Sequence, residues 1–335
     1  MALHPGILRN LREFFRKFTP SNHLYHMEEQ WIRVFAPATI GNIGPGFDVL
    51  GLAIQHLGDV VEARRVAQGV YIREIHSEMP LTNDPRKNTA GIAATEVLRI
   101  LNIEGGVELK IFKGMPSGSG LGSSAASAAA AAFATNYLYG QQLSREELIL
   151  PATRAEEFVS GDFFADNTAP SLLGGATLTR SCLPLDVTKI GSLSNLIMVL
   201  ITPKIVILTK EARDILPEQI SLKQFVFNMA NACLITAAFA KDDYKLFARS
   251  LNDEVIEPAR ARLIKGFAEV KQNALRAGAD GVAISGSGPT IFAITDEAKK
   301  ARFIEDAMLR TFAQFEVDCH SLITEVDNEG TRLLL

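Results

Sequence analysis

The chain has 335 residues and a formal net charge of −4, and 47% of its residues are apolar while 21% are charged. This composition is typical of a globular protein of about two domains, and the lack of a Lys/Arg cluster interleaved with aromatic residues argues against nucleic acid as a partner. No uninterrupted apolar run in the sequence approaches the ~20 residues that a membrane-spanning helix requires, so we expect no membrane partner either.

Residues 1–29 form an N-terminal extension whose role the sequence leaves open. The segment "LRNLREFFRKF" (8–18) is basic and amphipathic, but it lacks the apolar core and the small-residue cleavage site of a secretory signal. An organelle-targeting segment is one interpretation. We favour a surface helix, or a translation start at Met27.

The first half of the remaining chain mixes strands with helices. "WIRVFAP" (31–37), "DVVEARRV" (59–66) and "GVYIREI" (69–75) are predicted strands, and "VELKIF" (107–112) shows the apolar–polar alternation of a half-buried strand. Helical spacing follows Asn88, which is a plausible N-cap. A second helix is predicted from Ser123 to Tyr139. A third is predicted over residues 144–161, opened by a capping box of Ser144 and Glu147.

The second half contains longer helical stretches. "LIMVLITPKIVIL" (196–208) predicts two buried strands around a turn at Pro203 and Lys204. Long helices are predicted over residues 221–240 and 257–278. Two short apolar strands then flank "GSGP", and a helix and a final strand "FEVDCHSLI" (315–323) close the chain. Because the elements lack a regular βαβα rhythm, we predict an α+β fold with domains at 30–190 and 191–335.

The most informative segment is "PSGSGLGSSAASAAAAA" (116–132), which lies between a predicted strand and a predicted helix. Glycines allow a ligand to approach the backbone closely, and the start of a helix offers unpaired N–H groups and partial positive charge. Together these features predict an anion site, most often for phosphate. The GxGxG spacing of Gly118, Gly120 and Gly122, with no following Lys, excludes both a Walker A loop and a dinucleotide fingerprint.

This string resembles the nucleotide-binding motif of the GHMP small-molecule kinases, a family named for galactose, homoserine, mevalonate and phosphomevalonate. "GVAISGSGPTIFAI" (281–294) resembles the C-terminal glycine motif of that family. "PATIGNIGPGFDVLGLAI" (37–54) and "ADNTAPSLLGG" (165–175) resemble its homoserine-phosphorylating branch. The similarity covers about residues 32–327 and leaves only the extension unexplained.

The resemblance implies an N-terminal α+β domain related to a ribosomal-protein fold and a C-terminal ferredoxin-like domain, with the ligands between them. It implies Mg²⁺- and ATP-dependent phosphorylation of the side-chain hydroxyl of L-homoserine, on the route to threonine. It also implies roles for particular residues. Predicted nucleotide-binding residues are Asn88, Pro116, Ser117, Gly118, Ser119, Gly120, Leu121, Gly122, Ser123 and Ser124. Asn88 as an N-cap alone stays an alternative.

The resemblance further implies Ser124 and Glu156 as Mg²⁺ ligands, and Glu156 is chosen over Glu157 only by its offset to the "ADN" string. Homoserine presents an ammonium, a carboxylate and a hydroxyl, so complementary carboxylates, arginines and amides are expected. We assign Asp48, with Asp166 nearby, to the ammonium, and Arg213 and Arg260 to the carboxylate. Asn42 and Asn167 complete the predicted substrate-binding set, and Glu156, Asp166 and Asn167 are the predicted catalytic residues.

Two points depart from the pattern or stay open. Homoserine kinases commonly have "HADN" where this chain has "FADN", so Phe164 replaces a hydrogen-bonding histidine. Asp166 is the only candidate for a catalytic base, and the family is thought to manage without a clear one.

Two other functions remain alternatives: a GHMP kinase for a different small alcohol, and a nucleotide-binding module that has lost catalysis. Cys182, Cys233 and Cys319 are far apart and odd in number, which favours a reducing compartment, and we expect a cytoplasmic location. A homodimer is left open.

Overall fold

The computed structural model describes residues 30–116, 118–161 and 163–334. The N-terminal extension (1–29) and Ser117, predicted to bind nucleotide, lie outside the described residues. Within them, no helix combines the length and the apolar character that crossing a membrane would need.

The first sheet has the strand order β11-β1-β2-β4-β3, and β5 pairs with β2 on one side and with β6 on the other. Its strands are β1 (Ile32–Gly41), β2 (Leu50–Val66), β3 (Gly69–His76), β4 (Gly106–Phe112), β5 (Ala176–Cys182), β6 (Leu185–Gly191) and β11 (Arg332–Leu334). The predicted alternation of β4 is confirmed, because Val107, Leu109 and Ile111 are buried while the residues between them are partly exposed. This periodicity directs one face of the strand into the core.

Helices cover the first sheet and form its core with it. They are α1 (Thr89–Ile100), α2 (Ser123–Leu138), α3 (Ile149–Ser160) and α4 (Thr168–Leu173). The alanine run of α2 is almost wholly buried against β1, β2 and α1. Small side chains allow this close approach, and they place the start of α2 and the loop before it at the edge of the sheet.

The second sheet is antiparallel, in the order β10-β7-β9-β8. Its strands are β7 (Ile197–Pro203), β8 (Gly281–Ile284), β9 (Ile291–Thr295) and β10 (Cys319–Thr324). The helices of this half are α5 (Thr209–Asp214), α6 (Leu222–Lys241), α7 (Tyr244–Ser250), α8 (Ile256–Arg260), α9 (Phe267–Arg276) and α10 (Ala298–Gln314). A second apolar core lies between this sheet, α9 and α10. Two sheets with mixed helices confirm the predicted α+β class.

The prediction of a strand at "KIVIL" (204–208) is wrong. β7 ends at Pro203, and the next residues run to α5 without a ladder partner. Ile207 is buried, but Val206 and Leu208 are exposed. The apolar letters therefore reflect a segment that packs along the glycine loop, where Ile207 and Val206 lie beside Gly118.

Two predicted helices have different bounds. The segment 257–278 divides into α8, a short 3₁₀ turn (Ala261–Leu263) and α9, because Gly266 adopts a left-handed φ of 81° between them. The capping box of Ser144 and Glu147 forms with both hydrogen bonds, at 2.8 and 3.2 Å. It closes a turn before the helix, which begins at Ile149 because Pro151 cannot donate a helical hydrogen bond.

The sequence analysis also did not predict β11, which pairs with β1 through Leu334 and Arg33. The last described residues therefore return to the first sheet.

Candidate active site

The predicted site residues gather around one cleft of about 360 Å³ between the two sheets. Its lining includes Asn42, Asp48, Asn88, Gly118, Ser119, Gly120, Gly122, Ser123, Ser124, Glu156, Asp166, Asn167, Arg213 and Arg260. Pro116 and Leu121 do not line it. Leu121 is buried in the core instead, and its carbonyl accepts a hydrogen bond from the Thr39 N–H at 3.0 Å.

The glycine loop forms one end of the cleft. Gly118, Gly120 and Gly122 all have positive φ, of 71°, 77° and 65°. Gly122 is the N-cap of α2 and provides no side-chain cap, so the first amides of α2 are left for another acceptor. The Ser119 hydroxyl is buried and has no hydrogen-bond partner in the described part of the chain. Such donors are suited to the oxygens of a phosphate.

The C-terminal glycine motif holds this loop from behind. The Ser285 hydroxyl donates to the Gly120 carbonyl at 2.7 Å, and the Thr290 hydroxyl donates to the Ser119 carbonyl at 2.6 Å. A Cβ on Gly120 would lie 2.5 Å from the Ser285 carbonyl oxygen. The third motif therefore fixes the loop, and Gly120 has no room for a side chain.

Ser124 and Glu156 meet on the cleft wall, from the start of α2 and from α3. Burial raises the pKa of the Glu156 carboxyl to about 7, although a hydrogen bond from Ser124 and the charge of Lys113 both lower it. A bound cation would offset this burial cost. Glu157, the alternative ligand, is exposed and does not line the cleft.

A buried ion pair that the sequence motifs did not predict lies below this wall. The Lys113 ammonium contacts the Asp59 carboxylate and donates to the Ser127 hydroxyl at 2.8 Å and the Ser123 carbonyl at 2.7 Å. Asp59 is fully buried, and Lys113 lines the cleft. The one signal in the sequence is the position of Lys113, three residues before the predicted loop.

Opposite charges occupy the other end of the cleft. Arg213 on α5 makes two hydrogen bonds to the Asp48 carboxylate, at 3.0 and 3.1 Å. The buried Arg260 on α8 donates to the carbonyls of Gly286 (2.7 Å) and Ala212 (3.2 Å). These arginines come from the second half of the chain, whereas Asp48 belongs to the loop after β1.

Asn42 shapes that loop. Its side-chain oxygen accepts from the Asp48 N–H at 3.0 Å, and its amide donates to the Gly286 carbonyl at 3.1 Å. Asn42, Ile43 and Asp48 all have positive φ, of 70°, 46° and 60°. Strained backbone of this kind persists only where surrounding contacts hold it, and it occurs often at binding sites.

Asp166 and Asn167 lie between the two ends. Burial and the nearby charge of Asp48 raise the pKa of Asp166 to about 7, against the lowering effect of Arg213 and Arg260. The side-chain Oδ1 of Asn167 accepts a hydrogen bond from the Thr39 hydroxyl at 2.8 Å. Gly41 makes this packing possible, because a Cβ there would lie 2.6 Å from the Asp166 carboxylate.

Asn88 lies at the outer wall, near Leu81, Thr82 and Lys87. Its side chain accepts from the Ala90 N–H and donates to the Thr82 carbonyl, both at 3.0 Å. The predicted N-cap is therefore confirmed, and its nucleotide contact stays a prediction.

Comparison with known proteins places the chain in a family. Residues 88–175 match the model of the GHMP kinases N terminal domain, and residues 235–314 match that of the GHMP kinases C terminal. The homoserine kinase of Chloroherpeton thalassium is 40% identical over 313 residues, which cover 90% of this chain and 98% of that protein. That of Arabidopsis thaliana is 41% identical and is covered to 84%, again with 90% of this chain.

The crystal structure of homoserine kinase from Cytophaga hutchinsonii is similar with a TM-score of 0.87 and 42% identity, covering 91% of this chain and 98% of that one. The motifs, the fold and these relatives agree. The chain therefore belongs to the homoserine kinases of the GHMP kinase family.

Proposed function

We propose that this protein transfers the γ-phosphoryl group of ATP to the side-chain hydroxyl of L-homoserine, giving ADP and O-phospho-L-homoserine for threonine biosynthesis. The observation that carries the proposal is the single cleft that joins a glycine loop at one end to paired opposite charges at the other. A phosphate donor and a zwitterionic acceptor fit these two ends. The homoserine kinases of similar sequence support this choice over another small alcohol.

At the phosphate end, the glycine-loop amides and the α2 N-terminus bind the triphosphate. Phosphoryl transfer demands positioning and charge stabilisation more than covalent help from the protein. The buried Ser119 hydroxyl, which has no hydrogen-bond partner among the described residues, supports this placement because a phosphate oxygen would satisfy it. The retained glycines, Ser124 and Glu156 disfavour a module that has lost catalysis.

Ser124 and Glu156 hold Mg²⁺ in this proposal. A hydroxyl and a carboxylate are hard oxygen donors, and Mg²⁺ is often bound by one or two protein ligands together with substrate phosphates. Among the described residues, no group of three or more His, Cys, Asp or Glu side chains could hold a metal ion by itself. The metal, when bound, neutralises charge on the phosphate oxygens.

At the amino-acid end, Asp48 binds the substrate ammonium, and Arg213 and Arg260 bind its carboxylate. Asp48 and Arg213 form an ion pair and neutralise each other. A zwitterion supplies a positive and a negative partner together, so neither buried charge is left uncompensated when it binds.

Asn167 holds the attacking hydroxyl. The hydroxyl oxygen of homoserine forms a bond to the γ-phosphorus of ATP. The bond between the γ-phosphorus and the β,γ-bridging oxygen breaks, and ADP leaves. The hydroxyl proton passes to the Asp166 carboxylate or to water. A carboxyl with a pKa of about 7 is suited to accept it near neutral pH.

Product analysis tests the proposal. The protein is incubated with Mg-ATP and L-homoserine, and the products are followed by ³¹P NMR against authentic O-phospho-L-homoserine. We expect a phosphomonoester signal that grows in equal amount with ADP. ADP without this ester, or neither, would contradict the proposed function.

We further infer that a second copy of the chain is the macromolecular partner. Leu222, Phe225, Val226 and Met229 are exposed and follow i, i+3, i+4, i+7 along α6, so they share one face. Two such uncharged faces can pack about a two-fold axis. In sedimentation velocity we expect a dimer that Met229→Asp dissociates and the control Phe158→Asp does not. A monomeric wild type would contradict this.

The proposal includes a cytoplasmic location. Cys182, Cys233 and Cys319, all within the described residues, carry free thiols. Free thiols are usual in reducing compartments.

A further inference from the structure

The guanidinium of Arg213 lies against two aromatic rings on the cleft wall. Its Cζ atom lies 5.2 Å from the ring centroid of Phe47 and 4.9 Å from that of Phe164. A cation within about 6 Å of a ring centroid is attracted by the ring quadrupole, and Arg stacks especially well because it is planar. The rings therefore hold the guanidinium while its N–H groups contact Asp48.

The two rings differ in the number of arginine side chains that they contact. Phe47 also lies 5.1 Å from Arg260 Cζ, so it supports both arginines. The ring contact of Phe164 is with Arg213, and Phe164 lines the cleft with 37% of its surface exposed. Phe164 can therefore be changed with little effect on Arg260 or on the core.

Arg213 needs such support because of where it starts. It projects from α5, a helix of only six residues, and a long flexible side chain loses much rotamer freedom when it is fixed. The Asp48 carboxylate fixes it by accepting two hydrogen bonds from the guanidinium. When a substrate enters, Asp48 must turn to the ammonium, and a ring contact that does not depend on this exchange keeps Arg213 in place.

We propose that Phe164 is a positioning residue for Arg213 and thereby sets the affinity for amino-acid substrates. The phenyl ring offers its face to the carboxylate-binding arginine. This inference rests on the proposed function, in which Arg213 binds the substrate carboxylate.

The test compares steady-state kinetics of Phe164→Leu and Phe164→Tyr with wild type. Leu keeps an apolar side chain without the quadrupole, and Tyr keeps the ring. For Phe164→Leu we expect a rise of about three- to tenfold in KM for homoserine, with kcat and KM for ATP changed less than about twofold. Phe164→Tyr should stay within about twofold of wild type in KM for homoserine. Phe158→Leu, at an exposed Phe of α3 (62%) outside the cleft, is the matched control.

Coupling to Arg213 distinguishes positioning from a general structural role. In an Arg213→Met background the cation is gone, so adding Phe164→Leu should change KM for homoserine less than about twofold. An unchanged KM for homoserine in Phe164→Leu, an equal rise in the Arg213→Met background, or an equal rise in KM for ATP would overturn the inference. If wild-type protein does not phosphorylate homoserine, the proposed function fails before any variant is compared, and the inference fails with it.

Discussion

At the scale of single residues, the proposed chemistry depends on two buried carboxyl groups whose charged forms are costly without a compensating partner. Burial raises the pKa of Glu156 and of Asp166 to about 7 in both cases. Near neutral pH each group is then partly protonated. A metal ion would compensate Glu156 and a substrate ammonium would compensate Asp166, so binding and ionisation are coupled.

Glu156→Gln tests the metal ligand. The amide fills the same space without a charge, so we expect the fold to persist while kcat falls about a hundredfold or more, as typical for loss of transition-state charge stabilisation. Steady-state kinetics with varied Mg²⁺ provide the measurement, and Glu157→Gln is the neighbouring control. An unaffected kcat in Glu156→Gln, or a loss confined to Glu157→Gln, would show that the wrong residue was chosen.

Asp166→Asn tests whether the raised pKa of the buried Asp166 carboxyl makes the stability of the protein depend on pH. Because folding raises the Asp166 pKa from 3.8 to about 7, the folded protein keeps a proton that the unfolded chain releases between these values. Wild-type stability contributed by this group is therefore full below about pH 4 and is lost as pH rises to about 7.

The Asp166→Asn variant does not lose stability in this way as pH rises, because its side-chain amide does not titrate. We measure the free energy of unfolding in urea without ligands and compare Asp166→Asn with wild type. We expect this difference, variant minus wild type, to be larger by about 1–3 kcal/mol at pH 8 than at pH 4.5. Asp306→Asn, at an exposed ion pair, should show no such dependence. A stability difference for Asp166→Asn that does not change with pH would refute the assigned charge state.

At the scale of elements, local pattern predicted most of the architecture. Alternation identified β4, and side-chain capping identified the start of α1. The strand expected at residues 204–208 failed because a short apolar run does not reveal whether a ladder partner exists, and here Ile207 packs on the glycine loop instead. β11 is only three residues long, and its place depends on a distant partner, β1.

The site shows the same division. Ordered motifs predicted the glycine loop and the charged residues, because each motif is continuous in sequence. The ion pair of Asp59 and Lys113 was missed because it depends on strand register: β2 and β4 pair Val60 with Phe112, which brings the next residues together. A single sequence does not reveal this register.

Gly120→Ala tests how the two glycine motifs depend on each other. The alanine would have to adopt a φ of 77°, and its methyl group would lie 2.5 Å from the Ser285 carbonyl oxygen. We expect a rise in KM for ATP of about tenfold or more, since the loop must move off its support. Gly161→Ala is matched in φ, at 79°, but its Cβ has no atom within 4 Å. It should cost only about 1 kcal/mol of stability. Equal effects of the two variants on KM for ATP would contradict this account.

At the scale of the whole molecule, the cleft exists only where both halves of the chain meet. The Gly286 N–H donates to the Gly41 carbonyl at 3.1 Å, and Arg213 reaches across to Asp48. These contacts join residues on either side of the boundary after residue 190, which stays a prediction. Placing the phosphate donor and the acceptor in one shared cleft can lower the activation free energy by about 7–11 kcal/mol when the reactants are well oriented.

A comparison of acceptor alcohols tests whether homoserine is the phosphoryl acceptor. Coupled ADP release is measured with the full chain, Mg-ATP and, in parallel, L-homoserine, mevalonate, galactose and shikimate. We expect homoserine to give by far the highest kcat/KM, because among these alcohols only homoserine presents both an ammonium for Asp48 and a carboxylate for Arg213 and Arg260. ADP release that is no faster with homoserine than without an acceptor, while another of these alcohols is turned over, would contradict it.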